Sequence, residues 1–415
     1  MKHYTTLFVF YFIFLFLVQG LRAQNTGTEI EKYRRSSLYT ILITHPQAKY
    51  AHEIDSVFVA MPTPDKYENH NLRIRRVILD TNSNKTKMEH IEDFLMKAKV
   101  AKRMVGKWFH RDNTTGTFDV SLLAERGNYN ASEMDVEKAR MSKRGLVLLS
   151  DAGEELIGNT FVMVNDIVYV DKEANAKIAI AIFAAIASAA GSAGTPVGDL
   201  AKSVADLGAS ISNLIAGFTV KVSSHLYQLQ WTDSVASVFY NQLWCDTNSS
   251  KELCLQRKKI FDNSNDLFQL KYIGSYKVKS DKTVMRGLKS NADVITKVCT
   301  RALDKNIVSL QKKYEVFKVK TPIYSVNANK IESKIGKKEG LSEKSKFEVL
   351  ERVEDAQGKT FYKKVGNIKP IRGEIWDNRC MAFEEQAKGA ERTTTAFKIL
   401  SGSGFSPGML IRQIK

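Results

Sequence analysis

Few groupings of residues in this chain are typed and spaced for chemistry. His45 and His52 lie seven apart in "HPQAKYAHE". That is the two-turn spacing of metal ligands on one helix, but Pro46 argues against such a helix. Glu53 is adjacent to His52 rather than placed as a third ligand. Gly404-Phe405-Ser406-Pro407-Gly408 matches the Gly-x-Ser-x-Gly letters of a nucleophile elbow. The residue after the serine must then donate a backbone N–H to the oxyanion, and proline has none. No histidine follows it, so the segment is expected to be a turn between two strands. Glu154-Glu155 and Glu384-Glu385 are chain neighbours whose side chains diverge on a helix, whereas paired general acids and bases face one cleft. His70, His90, His110 and His225 show no partner pattern. No catalytic residue, metal ligand or cofactor is assigned.

The four cysteines carry a different chemistry. Cys245 and Cys254 flank the short loop "CDTNSSKELC", while Cys299 and Cys380 are far apart. Four cysteines allow three connectivities. Cys245–Cys254 is the pair expected in an oxidising compartment, and "MKHYTTLFVFYFIFLFLVQGLRAQ" supplies the route there. A positive start, an apolar run from Leu7 to Val18 and a small-residue site ending at Ala23 make residues 1–23 a secretory signal peptide. No cysteine lies near the cut, so a lipoprotein is not expected. The periplasm, or the periplasmic face of an outer membrane, is the expected location.

The 415 residues carry a net charge of +17, with 43% hydrophobic and 26% charged side chains. Such a chain folds into real cores and is attracted to anionic polymers or lipid headgroups. Nucleic acid is not an expected partner, because no aromatic-rich recognition motif accompanies the lysines.

The elements that must position these residues read as α+β. "SLYTILITH" is a short apolar patch leading into a proline turn, and "LRIRRVIL" has strand character. From "KMEHIEDFLMKAKVAKRMVGKWF" one amphipathic helix is expected, with Ile91, Leu95, Ala98, Met104, Val105 and Trp108 facing a sheet. "FDVSLLAERG" begins as a strand, and "ASEMDVEKARM" and "LVLLSDAGEEL" are helical. "TFVMVNDIVYV", "FTVKVSSHLYQLQW" and "LFQLKYIGSYKVK" are strands. "SVASVFYNQLW" is helical, and a helix is expected over residues 291–313. An α+β domain over residues 24–320, with a mixed or antiparallel sheet and packed helices, is therefore expected. From Thr321 the chain becomes Lys-rich, with short strands and glycine turns, predicting a small SH3-like β-barrel over residues 321–415. Its basic turn carries Lys334, Lys337 and Lys338, with side chains expected in solvent.

Between Lys177 and Asp199 no residue is charged. Bulky apolar side chains stop at Ile186, and Gly191, Gly194 and Pro196 interrupt the remainder, so a conventional span of about 20 apolar residues is poorly matched. The stretch reads as an Ala/Gly-rich helical hairpin over about residues 176–218, inserted between two strands. Ala181, Ala185 and Ala189 form a small-residue face on its first helix. Leu200, Val204, Leu207, Ile211 and Leu214 share one face of the second.

Two blocks carry family resemblances. "KIESKIGKKEGLSEKSKFEVLERV", with Ile335-Gly336, Gly340-Leu341 and Phe347-Glu348-Val349, resembles the C-terminal barrel module of the flagellar assembly protein T family. "AKRMVGKWF" through "SLLAERG" to "TFVMVNDI" is similar in layout to the α/β domain of the curli-secretion channel family, where a strand ends in Glu-Arg. Here those residues fall in Ala124-Glu125-Arg126-Gly127. The curli channel is anchored through a lipid-bearing N-terminal cysteine that this chain lacks. Both resemblances imply non-enzymatic envelope components that assemble with partners. The expected function is thus an exported scaffold or assembly protein that contacts envelope proteins or further copies of itself. Peripheral contact with a membrane or an anionic envelope polymer goes with that expectation. The alternative is a membrane-inserting, pore-forming or tethering protein using the hairpin. A third is an envelope enzyme whose site is assembled from distant residues.

Overall fold

The computed structural model describes residues 36–64, 66–80, 84–129, 156–170, 219–280, 291–318, 320–327, 330–354, 360–382 and 392–414. The signal segment, the hairpin expected over about residues 176–218, the helix expected over "ASEMDVEKARM", Glu154-Glu155 and Glu384-Glu385 lie outside them.

The fold is built around β1 (Ser36–Ile43), all eight of whose residues are buried. Alternation along the strand sends Leu38 and Leu42 to one face, and Tyr39, Ile41 and Ile43 to the other. Both faces must therefore be covered. A six-stranded mixed sheet results, in which β2 (Tyr67–Glu68), β3 (Arg76–Val77) and β4 (Thr160–Tyr169) each pair in parallel with β1. β4 continues antiparallel into β5 (Val220–Leu229), which continues antiparallel into β6 (Leu270–Lys279). The segment in which the hairpin is expected connects β4 to β5, two paired neighbours of one sheet. "LRIRRVIL" contributes only the two residues of β3.

One face is covered by α1 (Ala51–Ala60) and by α7 (Asn291–Lys313), which spans the range expected from the periodicity. The other face carries α2 (Lys87–Lys97), α3 (Val100–Trp108), α4 (Ser121–Tyr129), α5 (Asp233–Val238) and α6 (Lys251–Asn263). A π-turn, Phe239–Leu243, follows α5 and completes an aromatic cluster of Phe109, Phe118, Phe239 and Trp244.

Two expectations need correcting. The single helix expected over "KMEHIEDFLMKAKVAKRMVGKWF" is two, broken where Lys99 takes a left-handed conformation (φ 51°). The reason is phase. At about 100° per residue, the Ile91/Leu95/Ala98 stripe and the Val100/Ala101/Met104/Val105/Trp108 stripe point roughly 100° apart. A break lets both face the sheet. "FDVSLLAERG" is no strand: Asp119 accepts the Ser121 N–H at 2.6 Å, and α4 follows with Glu125 and Arg126 inside it. Tertiary contact holds this helix, since the half-exposed Glu68 accepts a hydrogen bond from the buried Arg126 at 3.1 Å.

The residues from Thr321 form a curled, seven-stranded antiparallel sheet, a half-barrel. Its strands are β7 (Thr321–Pro322), β8 (Ser325–Asn327), β9 (Lys330–Ser333), β10 (Phe347–Glu354), β11 (Thr360–Pro370), β12 (Thr395–Gly402) and β13 (Leu410–Gln413). Their order is β7-β13-β10-β11-β12-β9-β8, around a core of Ile331, Val349, Ile368 and Phe397. The half-barrel packs on α7. There Gly340 (φ 75°) approaches Val308 so closely that a Cβ would lie 2.5 Å from Val308 Cγ1. Arg301 Nε donates to the Cys380 carbonyl at 2.9 Å, and Arg412 reaches Glu315 at 3.1 Å.

A bulge between Leu226 and Tyr227 sets the register of β5 with β6 and places Gly274 at φ 151°. A Cβ there would meet the Tyr314 hydroxyl oxygen at 2.0 Å. Gly274→Ala is expected to cost about 2 kcal/mol or more. A fall in the urea midpoint at unchanged m-value is the measurement.

Candidate functional site: a basic groove on helix α3

The solvent face of α3 carries a row of cations. Lys99, Arg103 and Lys107 recur every four residues, so their stems rise from one side of the helix about 6 Å apart. The opposite side buries Val100, Met104, Val105 and Trp108, each at 0% exposure. Trp108 fixes the helix on the sheet by donating from Nε1 to Thr160 Oγ1 at 2.8 Å. Beside this row runs an open groove of about 830 Å³, to which Arg73, Lys102, His110 and Arg111 also contribute.

The lining has one carboxylate, Asp262, and it is already neutralised. Arg111 Nη2 lies 2.7 Å from Asp262 Oδ1, and Lys258 Nζ lies 2.8 Å from Oδ2. Arg111 also stacks on Phe261, 4.4 Å from the ring centroid, and its buried Nε has no hydrogen-bond partner. Lys102 is spent internally, donating to the carbonyls of Phe261 (3.0 Å) and Asp262 (2.8 Å). Arg73, Lys99, Arg103 and Lys107 have no carboxylate within ion-pair distance among the described residues.

The backbone around the groove is also unusual. Five non-glycine residues among those described have positive φ, and three of them, Arg73 (60°), Lys99 (51°) and His110 (40°), line this groove. Left-handed backbone costs an L-residue roughly 1–2 kcal/mol and persists where the surroundings impose it. Each of the three terminates or links an element at the groove wall. Asn71 Oδ1 braces Arg73 by accepting its N–H at 2.9 Å.

The crowded cations are felt by their neighbours. His70 is buried against Trp108 and hydrogen-bonded to Ser37 Oγ at 3.0 Å. Burial first, then the charges of Arg126, Lys107 and His110, pull its pKa down to about 3. Burial, then Lys99 and Arg111, likewise lowers that of Lys102, against the opposing pull of Asp262.

The residues singled out from the sequence fall elsewhere. Cys245 and Cys254 form a disulfide with Cα atoms 5.4 Å apart, while Cys299 and Cys380 are free. The Cys245 carbonyl accepts the Phe118 N–H at 2.7 Å, so the bridge braces the aromatic cluster below the groove. Ser406 sits in a turn between β12 and β13, with Gly404 and Gly408 at positive φ. In the basic turn, the exposed Lys337 pairs with Asp377 at 3.1 Å, the half-buried Lys334 lies over the Tyr324 ring at 4.7 Å, and the Lys338 backbone N–H donates to Asn378 Oδ1 at 2.8 Å.

His52 is exposed on α1, whereas His45 meets Asp166 Oδ1 at 2.7 Å. Lys87 pairs with Oδ2 of the same carboxylate. Burial opposes ionisation of Asp166, but the hydrogen bonds from His45 and Lys87 outweigh it and hold its carboxyl below the usual range. Sequence reasoning missed this cluster, for its members are 121 and 79 residues apart. The basic row was legible as Lys99-x3-Arg103-x3-Lys107. Among the described residues no three His, Cys, Asp or Glu side chains gather as a metal site, and no helix is long and apolar enough to cross a membrane.

The chain matches no model of a known protein family, and no curated protein sequence matches it significantly.

Acidification should destabilise the fold in a defined window. The unfolded chain protonates His70 near pH 6.5, while the native state holds it neutral to about pH 3. Stability therefore falls as the pH drops below about 6.5, by at most about 1.4 kcal/mol per pH unit for this proton. Asp166, with its lowered pKa, adds a further loss below about pH 4. Urea midpoints at pH 7 and pH 5 should differ less in His70→Gln than in the wild type.

Proposed function

We propose that the protein is an exported, non-enzymatic scaffold or assembly factor of the cell envelope, which holds an anionic partner in the groove on α3. The observation that carries this reading is the row Lys99, Arg103 and Lys107, joined by Arg73, without acidic partners on a rigid face. A merely soluble basic surface has its charges interspersed and mobile. Here strained backbone and a fully buried opposite face hold them in place, as a site that binds without reacting requires. The spread of charge over an open groove suits an extended polyanion, such as an anionic envelope polymer, better than a single small anion.

The amino-terminal leader supports export, and the Cys245–Cys254 bridge suits an oxidising compartment. In this reading the half-barrel corresponds to a small SH3-like barrel module of the flagellar assembly protein T kind. The α+β unit corresponds to the curli-secretion channel domain in combining helices with a sheet, but not at Glu125-Arg126, which lie inside α4. The half-barrel's packing on α7 makes one body able to bridge partners.

The test is retention on immobilised heparin, a sulfated polyanion. Lys99→Gln/Arg103→Gln/Lys107→Gln is expected to bind about tenfold more weakly than the wild type and with a shallower salt dependence. Its far-UV circular dichroism should be unchanged, since all three side chains are exposed. A folded triple variant with wild-type affinity and salt dependence would overturn the reading.

A further inference from the structure

The half-barrel and α7 meet along a seam that their side chains do not fill. A cavity of about 300 Å³ remains there, across the sheet from the α3 groove. Its floor is apolar, made by Ile335, Leu341, Phe347 and Ile411 of the half-barrel core. Val308 of α7 lines it too, and Ile414, 46% exposed, marks its open edge. Four charged side chains border the cavity, and three of them are engaged within the protein. Lys318 pairs with Glu315 at 2.6 Å, and Lys66 Nζ donates to the Lys334 carbonyl at 2.6 Å. Glu339 Oε2 accepts from the Gly336 N–H at 2.7 Å and from Asn378 Nδ2 at 2.8 Å. The fourth, Lys312, is exposed in the last turn of α7 and has no hydrogen-bond or ion-pair partner among the described residues. Its Nζ stands over the turn at Gly340, 3.5 Å from where a Cβ would lie, between the lining residues Glu339 and Leu341.

We propose that this cavity binds a medium-chain fatty acid, with its alkyl chain on the half-barrel core and its carboxylate on Lys312. The spare ammonium calls for an anion, and its standing alone calls for a single, monovalent head. The apolar floor calls for a hydrocarbon chain, whose transfer from water supplies most of the affinity. At roughly 30 Å³ per methylene, about the share of one water in the liquid, the cavity holds a chain of about eight to ten carbons. The inference is independent of the polyanion groove, because it uses none of the α3 cations.

Titration calorimetry with sodium octanoate, on the full mature chain, tests it. Octanoate is expected to bind saturably, with methyl chemical shifts moving at Val308, Leu341, Ile411 and Ile414. Affinity should rise roughly threefold to fourfold per methylene from hexanoate to octanoate, the value of a buried CH₂. Lys312→Gln should weaken octanoate roughly fivefold, as expected of one partly exposed ion pair. Its far-UV circular dichroism should not change, because the side chain is exposed. Octylammonium, of equal length and opposite charge, should bind the wild type more weakly than octanoate does. Lys99→Gln/Arg103→Gln/Lys107→Gln should bind octanoate as the wild type does, which keeps this test separate from that of the groove. Absence of saturable octanoate binding, equal binding by Lys312→Gln, or equal binding of octylammonium would overturn the proposal.

Discussion

Everything in this fold depends on burying β1 from both sides. A strand whose eight residues are all inaccessible has no solvent face, so helices must cover the sheet above and below. α1 and α7 form one lid, and α2 to α6 form the other. The two lids then do different work. The first carries the half-barrel, because the far side of α7 accepts the tight turn at Gly340. The second carries the basic groove.

The buried polar groups follow the same constraint. Asn165, Ser224 and Asn306, each at 0% exposure, form a chain from β4 through β5 to α7, with Ser224 Oγ 2.6 Å from Asn165 Oδ1 and Asn306 Nδ2 2.6 Å from Ser224 Oγ. Such a network has one good geometry, so it fixes the depth and rotation of α7 on the sheet in a way apolar contacts do not. One residue further along β4, on the opposite face of the sheet, Asp166 gathers His45 and Lys87. Both clusters join elements that are remote in sequence.

The groove shows how a charged surface can arise from a packing solution. The apolar stripes of α2 and α3 differ in phase, and the break at Lys99 that reconciles them turns Lys99 into a left-handed corner of the groove. From there the row continues through Arg103 and Lys107 because the buried stripe of α3 leaves only that side for long charged chains. The strain at Arg73 and His110 closes the groove's two sides.

What the sequence determined by itself was whatever local periodicity and apolar alternation encode. The strands β4, β5 and β6 and the span of α7 were legible because their patterns are long and unbroken. The strands after Thr321 were legible through their spacing and glycine turns. The basic row was equally present in the letters, but its meaning depended on knowing which side of the helix is buried. Only the tertiary structure decided that "FDVSLLAERG" is a helix, since Arg126 needs Glu68 from a strand 58 residues away. The same holds for the break at Lys99, which satisfies a sheet that no local window contains. It holds again for the open half-barrel, because curvature and strand pairing are set by contacts between segments. Local physics fixes elements; only packing decides which of their faces remain available to a partner.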